Sequence, residues 1–449
     1  MSIDSGPVTT QEQLAIHLDD DDPTNHLIKI RVGWLLEGEL DRDALARALG
    51  DVIARNSALR TQFRVVDGST YHVVAAPPSR VTIEHVDFGD VAEPDRDARL
   101  HALSGELAHP PFDLARAPLL RAALVQLGPR RHALLAVIHH AVFDGGSARG
   151  LFHELRRAYQ AATAPDPQSA LAAWPHHALQ YSEFTHQLVR STESAAGRAR
   201  AVFWERQLRG AQPLDLPNDF PRAPLDARRE VAPWGIAPAP VAEAVAVVPE
   251  PVRAGIGQLA RDERATPFMV LLAGFAVLLR RTTGQDDLCF QSTYSLRTRP
   301  ELEQMIGLLG NALVLRIDAS GNPSMREVIR RTRTMALTSW AHGDAPLLDR
   351  TPHGIRRMNF NYVPVTHNLF DTVAFANGLT STRLRVPSDA TRVKIHWDLN
   401  LWLLDTGTST PLRLLYMVEL FHPATIEALL RGYLDVLAEI AGSPDRRIS

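Results

Sequence analysis

The sequence predicts an α/β protein built in two lobes, and three observations carry that expectation. The chain is 449 residues long, more than one hydrophobic core usually serves, so two lobes are the default. Its composition, 45% hydrophobic and 22% charged, is that of an ordinary globular protein rather than a disordered or membrane-embedded one. Short runs of strand character alternate with amphipathic helical runs through both halves, and no internal repeat interrupts them.

In the first half, residues 27–37 read as a strand, and Asp41 caps a helix to residue 55 with Leu45, Leu49, Val52 and Ile53 on its inner face. Strands over 61–66 and 70–74 flank Asp67-Gly68, a dipeptide suited to a tight hairpin turn. A helix over 99–108 precedes a second strand pair, 119–127 and 132–140, about Gly128-Pro129. Ser147 then starts a helix striped by Leu151, Leu155 and Tyr159. Residues 162–175, rich in Ala, Pro and polar side chains, are expected to be a linker. That places the first lobe at 1–175 and the second at 176–449. A helical stretch over 177–208 and an irregular proline-rich excursion over 213–240 follow. Beyond them, helices are predicted at 251–261, 267–281, 324–339 and 423–441, and strands at 288–295, 313–317, 357–364, 399–404 and 412–418.

Several function classes are disfavoured. The formal net charge is −3 with acidic and basic residues nearly balanced, which gives no electrostatic reason to expect nucleic acid or an anionic membrane as partner. Cys289 is the only cysteine, so an intramolecular disulfide and a multi-cysteine zinc site are both impossible. Within Leu288-Cys289-Phe290 it reads as a buried structural thiol. The first residues lack a basic segment followed by an apolar one, and the longest apolar run, 268–279, is too short to span a bilayer. A cytoplasmic protein is expected.

The chemistry concentrates in one segment. The apolar run 133–138 reads as a central strand ending in His139-His140-Ala141-Val142-Phe143-Asp144-Gly145, followed by Gly146-Ser147 and a helix. Adjacent strand residues point to opposite faces, so His139 and His140 cannot readily share one metal or one proton. One faces the site, the other packs behind it, and no metal is expected. Asp144, just past a tight turn, could fold back toward the histidines or toward an arginine elsewhere. A neutral histidine can take a proton from an amine or hydroxyl as that group attacks a carbonyl. Glycine at 145 lets a backbone N–H approach a developing oxyanion without a side chain in the way. No Gly-x-Ser-x-Gly elbow, Walker loop or dinucleotide fingerprint competes with this segment. Spacing alone leaves two readings open: a catalytic histidine, or a hydrogen-bonded histidine pair at a strand end.

The pattern His-His-x-x-x-Asp-Gly resembles the signature of the condensation-domain family of nonribosomal peptide synthesis, within the chloramphenicol acetyltransferase-like superfamily. Further blocks are similar, and in the family's order. They are Arg55-Asn56-Ser57-Ala58-Leu59-Arg60-Thr61-Gln62-Phe63, Pro111-Phe112-Asp113-Leu114 with Pro118-Leu119-Leu120-Arg121, and Phe203-Trp204 with Leu214-Asp215-Leu216-Pro217. The longest runs over 266–316 and includes Thr283-Gly284-Gln285-Asp286-Asp287, Arg297-Thr298-Arg299-Pro300-Glu301 and Ile306-Gly307-Leu308-Leu309-Gly310-Asn311. His342-Gly343-Asp344-Ala345-Pro346 and Asn359-Phe360-Asn361-Tyr362 complete the series. There are departures: Asn56-Ser57 stands where the family usually has His-Glu, Gly310-Asn311-Ala312 replaces Val-Asn-Thr, and the first block is reduced to 9–14.

The resemblance implies two chloramphenicol acetyltransferase-like lobes in a V with a central tunnel, entered by the phosphopantetheine arm of an acyl or peptidyl carrier protein. No tightly bound cofactor is implied. His140 would promote attack of a small-molecule or carrier-bound acceptor on the donor thioester, and Gly145 would lend its backbone N–H. His139 and Asp144 would be structural, with Arg297 as the partner of Asp144. Tyr294, Asn311, Asn361 and Trp397 would contact substrate. With no adenylation or carrier segment beside it, the sequence reads as a freestanding condensation enzyme forming an amide or ester. Epimerisation, CoA-dependent acyl transfer and a non-catalytic recruitment role remain as alternatives within the same resemblance.

Overall fold

The computed structural model describes residues 5–221, 239–347, 351, 355–364, 372–384, 386, 393–395 and 397–449. The part of the proline-rich excursion over 222–238 lies outside them. The described residues are a mixed helix-and-sheet fold in two compact units, each discontinuous in sequence.

The first unit takes the chain up to Glu193 and adds residues from Ser295–Gly310 and Leu369–Arg392. Its main sheet has six strands in the order Val373–Ala376, Leu379–Arg383, Lys29–Glu37, Arg131–His139, Leu120–Gly128 and Glu84–Asp87. The Arg131–His139 strand is therefore interior, antiparallel to both neighbours, with Lys29 opposite His139 and Leu120 opposite Ile138. Every residue from His132 to His139 is buried, which explains a run of apolar residues rather than an alternating pattern. A separate three-stranded sheet pairs Ser5–Pro7 and Thr61–Val66 with Ser69–Val74.

The expected single boundary at 175 is thus replaced by one after Glu193, with two later segments returning. The helix Tyr181–Glu193 is tied to the early chain through Ser182 N–H to Ser57 Oγ at 3.1 Å and Tyr181 Oη to Glu12 Oε1 at 3.1 Å. The strand Leu379–Arg383 returns because it extends the main sheet at Lys29–Glu37, with Ser381 opposite Leu36. The supposed linker is also structured. Asp166 caps a short helix Pro167–Ala172, and Trp174 is buried beneath the Arg55 guanidinium, 3.9 Å from its ring centroid.

The second unit is built on a seven-stranded sheet. Its order is Gly310–Asp318, Asp287–Ser295, Met358–Pro364, Leu399–Asp405, Pro411–Met417, Ala239–Val247 and Lys394–Ile395. Helices Glu250–Asp262, Pro267–Thr283, Met325–Trp340 and Pro423–Gly442 accompany it. Phe275, on the second of these, packs its ring on Phe290, Phe360 and Tyr433 in one aromatic core. Cys289 is fully buried there, and burial together with Asp287 pushes its thiol up to about 12. No single helix among the described residues is long and apolar enough to cross a membrane.

Candidate active site

The interior strand ends at His139, and the backbone passes into a 3-10 turn, His140–Val142, before the helix Ser147–Ala162. The two histidines are held differently. His139 is wholly buried, and its ring meets Phe112 edge-on at 5.9 Å. Its Nδ1 accepts the Ala141 N–H at 3.2 Å, capping the turn, so the proton of the neutral ring sits on Nε2, 3.4 Å from Asp19 Oδ1. Burial pushes the His139 imidazole below its ordinary value against the raising influence of Asp19, which keeps it neutral at pH 7.

His140 is half-buried, and its Nδ1 lies 2.8 Å from the Phe143 carbonyl oxygen. A carbonyl can only accept, so Nδ1 carries the hydrogen, and in the neutral ring Nε2 keeps its lone pair. The Phe143 N–H in turn donates to the His140 carbonyl at 3.3 Å, closing the turn on itself. The ring is oriented, its tautomer is set, and Nε2 is the atom able to take a proton.

Asp144 anchors the other end of the motif. Its Oδ1 accepts from Ser147 N–H at 2.9 Å, Ser147 Oγ at 2.8 Å and Arg297 Nη2 at 2.8 Å. Its Oδ2 accepts from Arg297 Nη1 at 2.7 Å and Leu309 N–H at 2.9 Å. Burial alone would raise this carboxyl; the Arg297 charge, with the Arg297, Leu309 and Ser147 hydrogen bonds, outweighs it and holds the group below its usual range. Arg297 also donates to Met305 O at 3.1 Å, and Asp144 N–H to Gly307 O at 3.1 Å. These bonds dock the segment around 297–309 on the motif loop.

The two glycines differ as well. A Cβ at Gly146 would lie 2.7 Å from Arg297 Nη1, so the guanidinium needs the missing side chain there. A Cβ at Gly145 would meet nothing within 4 Å. Packing therefore does not ask for glycine at 145.

His139, His140, Asp144, Gly145 and Arg297 therefore gather in the first unit. Tyr294, Asn311, Asn361 and Trp397 belong to the second. There, Asn311 Nδ2 donates to the Gly343 and Ala345 carbonyls at 2.7 and 2.8 Å, and Asn361 Nδ2 to Asn400 Oδ1 at 3.0 Å. Tyr294 packs its ring on Gly343, and Trp397 is half-buried. Sequence reasoning passed over Asp19, Ser147 as a ligand of Asp144, and the Leu309 N–H. The first sits on a helix, Thr10–Asp21, that was not foreseen, and a backbone donor leaves no trace in a sequence. Among the described residues no three His, Cys, Asp or Glu side chains converge to hold a metal ion.

Comparison with known proteins places the chain in a family. The condensation-domain family model matches residues 11–449. Chondramide synthase of Chondromyces crocatus is 33% identical over 421 residues, covering 92% of this chain and 10% of that protein. A linear gramicidin synthase polypeptide of Brevibacillus parabrevis is 31% identical over 446 residues, covering 98% of this chain and 6% of that protein. The chain thus spans a tenth or less of the length of either synthase. The SgcC5 protein of Streptomyces globisporus, solved in complex with an aryl ethanediol and sucrose, superposes with a TM-score of 0.80 at 26% identity. That match covers 98% of this chain and 100% of that one. The X-domain from teicoplanin biosynthesis shares the fold, with a TM-score of 0.81 at 24% identity over 98% of this chain and 96% of that one. A family model matched almost end to end, over the residues whose geometry is described above, makes this chain a member of the condensation-domain family of nonribosomal peptide synthesis.

Proposed function

We propose that this protein transfers an acyl or aminoacyl group from the phosphopantetheine thioester of a carrier protein to an amine or alcohol acceptor, forming an amide or an ester. The observation that carries the reading is the fixed tautomer of His140, whose Nδ1–H is engaged by Phe143 O and whose Nε2 is left basic. Condensation domains as a family join carrier-bound substrates, which supports the carrier protein as partner. The aryl ethanediol bound to the SgcC5 protein supports an alcohol as one acceptor class.

In this scheme, Nε2 of His140 takes the proton from the acceptor N–H or O–H as the acceptor nitrogen or oxygen bonds to the thioester carbonyl carbon. The carbonyl oxygen becomes an oxyanion, towards which the Gly145 N–H donates. Collapse re-forms the carbonyl and breaks the C–S bond, and the His140 imidazolium returns its proton to the departing thiolate. His139 and Asp144 stay outside the proton path. The first is neutral and caps the turn, and the second has both oxygens occupied. The reaction asks for no resident cofactor.

The test is incubation of the protein with acyl-loaded carrier proteins and a panel of amines and alcohols, with products read by mass spectrometry. Acyl transfer by the wild type and its loss in His140→Ala is the expected result. A wild-type protein that binds a partner enzyme yet turns over none of the loaded donors would overturn the proposal in favour of a recruitment role.

A further inference from the structure

The motif's first histidine is held from outside the motif. Asp19 lies near the end of the helix Thr10–Asp21, whose N-terminus is fixed by a Thr9–Glu12 capping box. Its side chain is buried, and its Oδ1 lies 3.4 Å from His139 Nε2. We infer that Asp19 is a positioning residue for the acyl-transfer centre, holding His139 in the Nε2–H tautomer so that Nδ1 stays free to accept Ala141 N–H and fix the turn carrying His140. This rests on the proposed transfer reaction for its consequence, though not for its geometry.

Donor and acceptor accounting at the two ring nitrogens fixes the tautomer. A neutral imidazole has one N–H and one lone pair, and the Ala141 N–H can only be received by the lone pair. In the opposite tautomer two N–H groups would face each other at Nδ1, and the bare Nε2 would face a carboxylate. Both contacts would be repulsive between buried groups. The Asp19 carboxylate therefore favours the tautomer in which Nδ1 can cap the 3-10 turn. Because Ala141 follows His140 directly, release of its N–H would loosen the backbone from which the His140 ring is aimed at Phe143 O.

The charges around the pair are consistent with this role. Facing His139 are Asp19, the Phe112 ring with the Arg121 guanidinium stacked 3.9 Å above it, His140 and Lys29 across the sheet. Lys29 is buried, and its Nζ donates to Pro23 O at 2.6 Å, Pro110 O at 3.2 Å and His109 O at 3.3 Å. Asp19 is the neighbouring negative charge that most favours its charged form.

Nitrogen–proton NMR correlations on imidazole-labelled protein report the tautomer directly, and turnover with an acyl-loaded carrier reports the consequence. The wild type and Asp19→Asn, which keeps an oxygen beside Nε2, are expected to show His139 as Nε2–H and similar kcat. Asp19→Leu is expected to lose that tautomer and to fall at least ~10-fold in kcat, out of the ~10²–10⁴ a positioned general base contributes, with KM for the carrier little changed. Asp19→Ala gives the same readings should Asp19→Leu fail to fold. An Nδ1–H tautomer in the wild type, retention of Nε2–H in Asp19→Leu, or equal loss of turnover in the Leu and Asn variants would each overturn the inference. Should the wild type transfer no acyl group at all, the proposed reaction fails while the tautomer measurement still decides what Asp19 does.

Discussion

The two ends of the His139–Gly145 motif are held in opposite ways. At Asp144 both carboxylate oxygens are filled, by two guanidinium bonds from Arg297, the Ser147 N–H and Oγ, and the Leu309 N–H. At His140, among the described residues, the ring makes a single hydrogen bond, through Nδ1, and in the neutral ring Nε2 keeps its lone pair. A buried carboxylate so saturated has nothing left to offer a substrate, and an imidazole oriented by one bond offers a base. On the proposed reaction, one short motif separates into architecture at its acidic end and chemistry at its second histidine. That division can be broken by substitutions at either end.

The largest effect on the fold is expected from Arg297→Ala. It leaves Asp144 buried without its cation, a change that typically costs about 3–5 kcal/mol of stability. Denaturant unfolding checks it, and Arg297→Lys, which cannot reproduce the two-pronged contact, should recover only part of the loss. Gly146→Ala should follow at about 1–3 kcal/mol, since its methyl group would displace the guanidinium that lies 2.7 Å away. Gly145→Ala sharpens the contrast. With open space around the new methyl group, stability should move by less than about 0.5 kcal/mol while acyl transfer falls. Equal melting temperatures for the two alanine variants would break the comparison.

The smallest effect expected is a pH dependence that separates the same two ends. Asp144 has a folded-state pKa below its unfolded value of 3.8, so its contribution is intact above that value and lost only as pH falls through the lower folded one. His139 has a folded-state pKa below 6.5, so the unfolded state takes up its proton first and stability declines once pH drops under that value. Part of the stability lost as pH falls below about 6.5 therefore belongs to His139, and His139→Gln should flatten that slope in urea titrations. An unchanged slope would place the burial penalty elsewhere.

Much of this was legible in the sequence, and what was not has physical causes. The motif strand shows as an unbroken apolar run because both its faces are covered, and the helix after it shows as a clean stripe of Leu151, Leu155 and Tyr159. The helix Thr10–Asp21 did not show, because the residues it buries include Glu12 and Asp19, carboxylates where a pattern search expects apolar side chains. The strand Ala239–Val247 was hidden by the proline-rich stretch before it, although its small residues alternate with exposed ones. The strand Leu379–Arg383 pairs with Lys29–Glu37 more than three hundred residues away, and no local signal encodes such a partner. At the site, Arg297 could be named as the partner of Asp144 only through a family resemblance. Its other support, the Leu309 N–H and the Met305 and Gly307 carbonyls, is backbone and carries no residue code.

The central claim is that chemistry resides at His140 and architecture at Asp144, and one paired measurement tests it most directly. It sets the single-turnover acyl-transfer rate of His140→Ala beside its thermal unfolding. A rate lower by ~10² or more, with an unfolding midpoint within a few degrees of wild type, is the predicted result. A variant that transfers at the wild-type rate, or one that loses activity only because it no longer folds, would contradict the account.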